Sequence, residues 1–192
     1  GSFLVDVARD ARVRLVILTG DAGHGKTHLC RRFLEDTLGL GPREAHDLLR
    51  AKGNGSDVVG EANGRSIRII RDLSEIASDE GAAELLAFAI EHESDVLIAC
   101  ANEGKLRKVV STDRERLGII RETMEASRRT GRTALVPEVT VVDLNQQSVT
   151  TGEAEGGFVG ALLRQWAVDG RSWKVCGECD ARGICPIMSN RD

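Results

Sequence analysis

A chain of 192 residues is long enough for one ordinary domain with a small appendage. With 41% apolar and 29% charged residues it has the make-up of a folded globular protein, and its longest apolar runs are far too short to cross a bilayer, which excludes a membrane protein, a coiled coil, collagen and a disordered chain. A formal net charge of −4, no Tyr, four Phe and two Trp exclude a strongly basic or aromatic-rich nucleic-acid platform.

Residues 13–19 (VRLVILT) form a short, β-branched, nearly continuous apolar run, the pattern of a strand buried on both faces of a parallel sheet. On this reading the chain enters a strand almost at once. Residues 26–38 carry Leu29, Phe33 and Leu34 at helical spacing and stop at Gly39, Gly41 and Pro42. Residues 44–51 read as a second short helix, and residues 53–64, with four Gly and two Asn, as a turn or flexible loop. Strands follow at 66–72 (SIRIIRD), 95–101 (DVLIACA) and 139–144 (VTVVDL), with helices at 81–93 and 114–129 between them. This alternation predicts an α/β fold, a parallel sheet with helices on both faces joined by right-handed crossovers. Gly152 to Gly157 is a candidate hinge, which divides the chain into a main domain over 3–150 and a segment over 151–192 holding one amphipathic helix and a cysteine cluster.

Between the first strand and the first helix lies Gly20-Asp21-Ala22-Gly23-His24-Gly25-Lys26-Thr27, followed by His28. It fits the phosphate-loop pattern G-x-x-x-x-G-K-[ST] in the strand–helix context the pattern requires. Glycines at 20, 23 and 25 permit positive φ and close approach to an anion. The loop N–H groups form an anion nest, and the helix N-terminus adds partial positive charge. Lys26 supplies a mobile charge for the β- and γ-phosphates of ATP, and Thr27 a hydroxyl ligand for Mg²⁺. His24 reads as exposed and without a catalytic part.

Such a site needs an acid at the end of a neighbouring strand to hold Mg²⁺ through water. Asp72, ending IRIIRD, is preferred over Asp143, ending VTVVD; an N-cap is the alternative role of Asp72, and a turn cap that of Asp143. The residue after Asp72 is Leu73 rather than an acid, so either Glu75 polarises the water or hydrolysis is slow.

The loop sequence GDAGHGKT resembles that of the AAA+ and STAND branches of P-loop NTPases. The resemblance covers about residues 13–144. It implies that the polar residue ending DVLIACAN, Asn102, senses the γ-phosphate and orients water, the alternative being a turn-forming Asn before Glu103-Gly104. It also implies an arginine reaching a neighbouring subunit's nucleotide, for which Arg114, Arg116, Arg128, Arg129 and Arg132 are candidates, and hence a homo-oligomer or larger protein complex. The phosphate loop, the Asn-Glu-Gly turn and the trailing cysteines together resemble ATPases of prokaryotic anti-phage defence, nearest the ATPase of phosphorothioation-dependent DNA restriction. DNA would then be met through partners or regions beyond this piece of chain.

Cys176-x2-Cys179-x5-Cys185-Pro186 has the opening of a metal knuckle. Structural zinc, an iron–sulfur cluster and free thiols are the three readings. Cys30 and Cys100 lie in expected core elements and read as small hydrophobes. Without an opening signal pattern, and with five Cys, the expected setting is the reducing cytoplasm, with no membrane contact. The expected activity is Mg²⁺-dependent ATP hydrolysis that drives a conformational change in a larger assembly. A small-molecule or nucleotide kinase and a nucleotide-gated binding module with little turnover are the alternatives.

Overall fold

The computed structural model describes residues 2–130 and 134–146. The chain divides between Gln146 and Gln147, and the second unit, with the expected helix and Cys176, Cys179 and Cys185, lies outside the described residues. In chain order the first unit runs α1 (Ser2–Arg9), β1 (Leu15–Thr19), α2 (Lys26–Leu38), α3 (Pro42–Lys52), β2 (Asn54–Ala62), β3 (Arg65–Ile70), α4 (Asp79–Glu91), β4 (Asp95–Ala101), α5 (Glu103–Thr112), α6 (Gly118–Thr130), β5 (Ala134–Leu135) and β6 (Val139–Asp143). Short 3₁₀ turns follow β3 at Leu73–Glu75 and β6 at Leu144–Gln146.

One six-stranded sheet has the order β2-β3-β4-β1-β6-β5. β3, β4, β1 and β6 are parallel, and the two edges are closed by antiparallel strands, β2 on β3 and β5 on β6. Every residue of β1 and β4 is buried, which is why both strands read as continuous apolar runs rather than alternating ones. Side chains of β1 alternate between two cores. Leu15 and Ile17 pack with Leu86, Leu106 and Ile120 of α4, α5 and α6; Val16 and Leu18 pack with Phe33, Leu34 and Leu49 of α2 and α3. The expected α/β architecture with helices on both faces is observed, but the sheet is parallel only in its four central strands, and the edge strands β2 and β5 run antiparallel.

Several local expectations are corrected. Residues 53–64 are not a flexible loop. They form β2, irregular in register between Asn54 and Gly60, and a tight turn at Asn63-Gly64 joins it to β3. Both turn residues have positive φ, 55° and 73°, the requirement of a two-residue hairpin and the reason for Asn-Gly there. Gly60 is small because α2 crosses it: a Cβ there would lie 2.5 Å from Leu38 Cδ1. A helix, α1, precedes the first strand. A further helix, α5, begins directly after Asn102, its Leu106, Val109 and Val110 buried on one face. The N-terminal ends of β1, β3 and β4 are tied by Arg65, whose Nη2 donates to Val13 O at 2.6 Å and Asp95 O at 2.7 Å. No helix among the described residues is long and apolar enough to cross a membrane.

Candidate functional site

Parallel strands bring their carboxyl ends to one edge of the sheet. The register pairs Thr19 with both Ala101 and Asp143, and Ile70 with Ala99. Two residues on from Ile70, Asp72 is therefore level with Ala101. At about 4.8 Å per strand, the chain at Asp72 lies about 10 Å from the chain at Thr19. The glycine loop leaves this edge from β1, Asp72 from β3, Asn102 from β4 and Asp143 from β6.

In the loop, Gly23 and Gly25 take φ of 86° and 82°, and among the described residues nothing lies within 4 Å of the Cβ either would carry. α2 starts at Lys26 with Gly25 as its N-cap and without a side-chain cap. The first N–H groups of a helix have no intrahelical acceptor, so the start of this helix offers free donors to an anion. Lys26 Nζ donates across the loop to Gly20 O at 2.6 Å and to Asp21 O at 2.9 Å. Thr27 and His28 are exposed on the first turn, and His28 Nδ1 lies 2.9 Å from Arg31 Nη2. Asp21, Ala22 and His24 are exposed.

A residue that sequence reasoning missed holds this loop from the far side. Asn145, in the turn after β6, accepts the Asp21 N–H on Oδ1 at 3.0 Å, and Asp143 Oδ1 accepts the N–H of Asn145 at 3.0 Å. A Cβ on Gly20 would stand 3.1 Å from Leu144 Cβ, so the loop packs directly on that turn. The available signal was the Asp-x-Asn that closes a buried strand, a pattern that bonds its own backbone two residues on.

Asp72 caps the 3₁₀ turn after β3: its Oδ1 accepts the Ser74 N–H at 2.8 Å, and its Oδ2 has no partner among the described residues. Glu75 is exposed and ion-paired with Arg71. Asn102 is the N-cap of α5, its Oδ1 accepting the Lys105 N–H at 2.8 Å, while its Nδ2 reaches Ser74 Oγ at 3.4 Å. The turn after β3 and the start of α5 are thus in contact, and Asp72 and Asn102 occupy one stretch of the edge.

Among the candidate arginines, Arg116 is bound to Glu84 at 2.9 Å and Glu91 at 2.8 Å, which clamps α4 to the turn before α6 and drives the Glu91 carboxyl below its ordinary range. Arg128 pairs with Glu103, and Arg132 lies outside the described residues. Behind the loop, Cys30 of α2 and Cys100 of β4 are fully buried with Sγ atoms 3.3 Å apart. The hydrogen bond with Cys100, and then burial, push the Cys30 thiol well above its ordinary pKa. No cluster of three or more His, Cys, Asp or Glu suited to a metal occurs among the described residues.

No family model, curated protein or solved structure matches the chain.

Proposed function

We propose that this chain binds ATP with Mg²⁺ and hydrolyses it as the P-loop ATPase unit of a larger assembly. The observation that carries the reading is the Gly20–Thr27 loop, which joins a fully buried strand to an uncapped helix start and holds the Lys26 ammonium against its own carbonyls. The residues present fit the ligand. Among the described residues nothing crowds Gly23 or Gly25, and no side chain caps the N-terminal N–H groups of α2. Lys26 would exchange the carbonyls of Gly20 and Asp21 for the β- and γ-phosphates, an ammonium–phosphate ion pair in place of two bonds to neutral acceptors. Thr27 and Asp72 would hold the Mg²⁺, which when bound neutralises charge developing on the phosphates. Asn102 or Glu75 would orient water at the γ-phosphate. Loss of that phosphate removes a bond from Asn102 at the head of α5, which gives the product state a different helix start to communicate.

The AAA+ and STAND resemblance extends the reading to an oligomeric or multi-protein machine. The resemblance to the ATPase of phosphorothioation-dependent DNA restriction extends it further, to phage defence in the cytoplasm with DNA engaged through partners. Cys176, Cys179 and Cys185 would contribute three thiolates to a structural zinc. A nucleotide-gated module with slow turnover is the second reading, and a specific observation favours it. The residue after Asp72 is the buried Leu73, and the nearest acid, Glu75, is already held by Arg71.

Calorimetry with ATP, ADP and GTP, and phosphate release by the wild type and Lys26→Ala, test the proposal. Saturable ATP binding and a rate that Lys26→Ala abolishes are expected. A flat titration, or equal phosphate release by both proteins, would overturn it. Tight ATP binding without release would select the gated module.

A further inference from the structure

A groove of about 240 Å³ runs between α5 and α6, and its Met124 and Arg128 also line a small cleft with Thr19 and Asp143 at the carboxyl edge of the sheet. Its floor is Val110 and Met124, and its walls carry Arg107, Arg114, Arg121 and Arg128, each seven residues from the next. Arg121 and Arg128 share one face of α6 about 10 Å apart along its axis. Glu125 is the one acid among the described lining residues. A chain of net charge −4 thus concentrates four guanidinium groups around one apolar trough. Most arginines of the described unit are already paired with carboxylates, yet Arg114 and Arg121 form no ion pair among the described residues. Arg107 and Arg128 share a single acceptor, Oε1 of Glu103.

We infer that this groove is a docking site for an acidic peptide segment of a partner protein, one that alternates carboxylates with apolar side chains. The charge pattern selects the occupant. Guanidinium forks bind carboxylates in two-point geometry, and a methionine on an apolar floor adapts to varied aliphatic anchors. An extended peptide with this alternation turns its apolar side chains to one side and its carboxylates to the other. Single-stranded nucleic acid fits less well, because the described lining residues include no aromatic ring on which a base could stack. Glu103 is the site's internal competitor. It occupies two of the four arginines until a carboxylate of the peptide replaces it. The inference does not depend on ATP binding.

The probe is a fluorescein-labelled twelve-residue peptide alternating Glu and Leu, titrated with the full chain and read by anisotropy. The same peptide with Gln for Glu, and a labelled twelve-nucleotide single strand, serve as comparisons. The Glu peptide is expected to bind at least about tenfold more tightly than the Gln peptide, with affinity falling as salt rises. Arg121→Glu and Arg114→Glu are expected to weaken it about tenfold each. Glu103→Gln is expected to strengthen it about threefold, a gain that misfolding cannot mimic. Binding that both charge reversals leave unchanged would overturn the inference. So would tighter binding of the oligonucleotide than of the peptide, or light scattering showing that the groove is covered by a second copy whose association Arg121→Glu abolishes.

Discussion

Asn102 separates a structural role from a chemical one. Its Oδ1 accepts the Lys105 N–H at 2.8 Å and caps α5, while its Nδ2 contacts Ser74 Oγ at 3.4 Å, near the outer limit of a hydrogen bond. Truncation to Ala removes the cap and little else from the fold, so its cost is that of a lost N-cap, about 1 kcal/mol, or about 3 °C in Tm for a chain of this size. Asn102→Asp keeps an acceptor of the same shape and places a negative charge at a helix N-terminus, so its stability is expected within about 0.5 kcal/mol of the wild type. The donor, however, is gone. If the amide N–H meets the γ-phosphate or the attacking water, loss of one positioned donor lowers turnover by about a hundredfold. Urea unfolding followed by circular dichroism and steady-state phosphate release measure the two effects separately. The expected pattern is a destabilised Ala variant and a stable, slow Asp variant. Wild-type turnover in Asn102→Asp refutes the sensor role, and wild-type stability in Asn102→Ala refutes the cap.

Asn145→Ala removes the acceptor of the Asp21 N–H and is expected to weaken ATP binding about three- to tenfold, the worth of one hydrogen bond of about 1 kcal/mol; calorimetry reads it, and amide exchange at Asp21 should quicken in the same variant. Gly53→Ala would set a Cβ 2.3 Å from the Leu49 carbonyl oxygen, a contact relieved only by moving backbone, and is expected to cost about 2 kcal/mol in urea unfolding. Because the Cys30 pKa is raised in the fold, the neutral thiol is the form the native state prefers. Its stabilising contribution is therefore complete below the ordinary thiol value of about 8.5 and declines as pH rises above it. Unfolding midpoints at pH 7.5 and pH 10 should differ more in the wild type than in Cys30→Ala, and a thiol reagent should label neither Cys30 nor Cys100 until the chain unfolds.

The sheet was legible wherever burial on both faces removed the polar alternation. The runs at 13–19, 95–101 and 139–144 overlie Leu15–Thr19, Asp95–Ala101 and Val139–Asp143 because such strands have no solvent side to mark. The edges were not. β2 is one-sided and broken in register, and its glycines serve close contacts with Leu38 and Ile70, so composition alone reads it as loop, although Asn63-Gly64 carried the hairpin signal. α5 was hidden behind the turn chemistry of Asn-Glu-Gly, which here is the cap and first turn of a helix. At the candidate site, the loop residues and Asp72 follow from motif and strand end, and Asn102 from the resemblance. Asn145 does not, because its role rests on a bond to a residue 124 positions away.

Capping and ligand binding are compatible at this edge because Asp and Asn have two polar atoms. Asp72 spends Oδ1 on the Ser74 N–H and keeps Oδ2 without a partner among the described residues. The cap fixes the side chain's rotamer, and the second atom is presented without further ordering cost. Serine is as good an N-cap but has a single oxygen. Asp72→Ser should therefore fold with stability within about 0.5 kcal/mol of the wild type, while Asp72→Ala should lose about 1 kcal/mol. Both variants should lose the strengthening of ATP binding by Mg²⁺, since neither retains a carboxylate to hold the ion. Calorimetric titrations of ATP with and without Mg²⁺, beside urea melts of the three proteins, decide it. If Asp72→Ser keeps the Mg²⁺ dependence of the wild type, Asp72 is a cap alone and the ion's carboxylate must be sought elsewhere on the edge, with Asp143 the next residue to test.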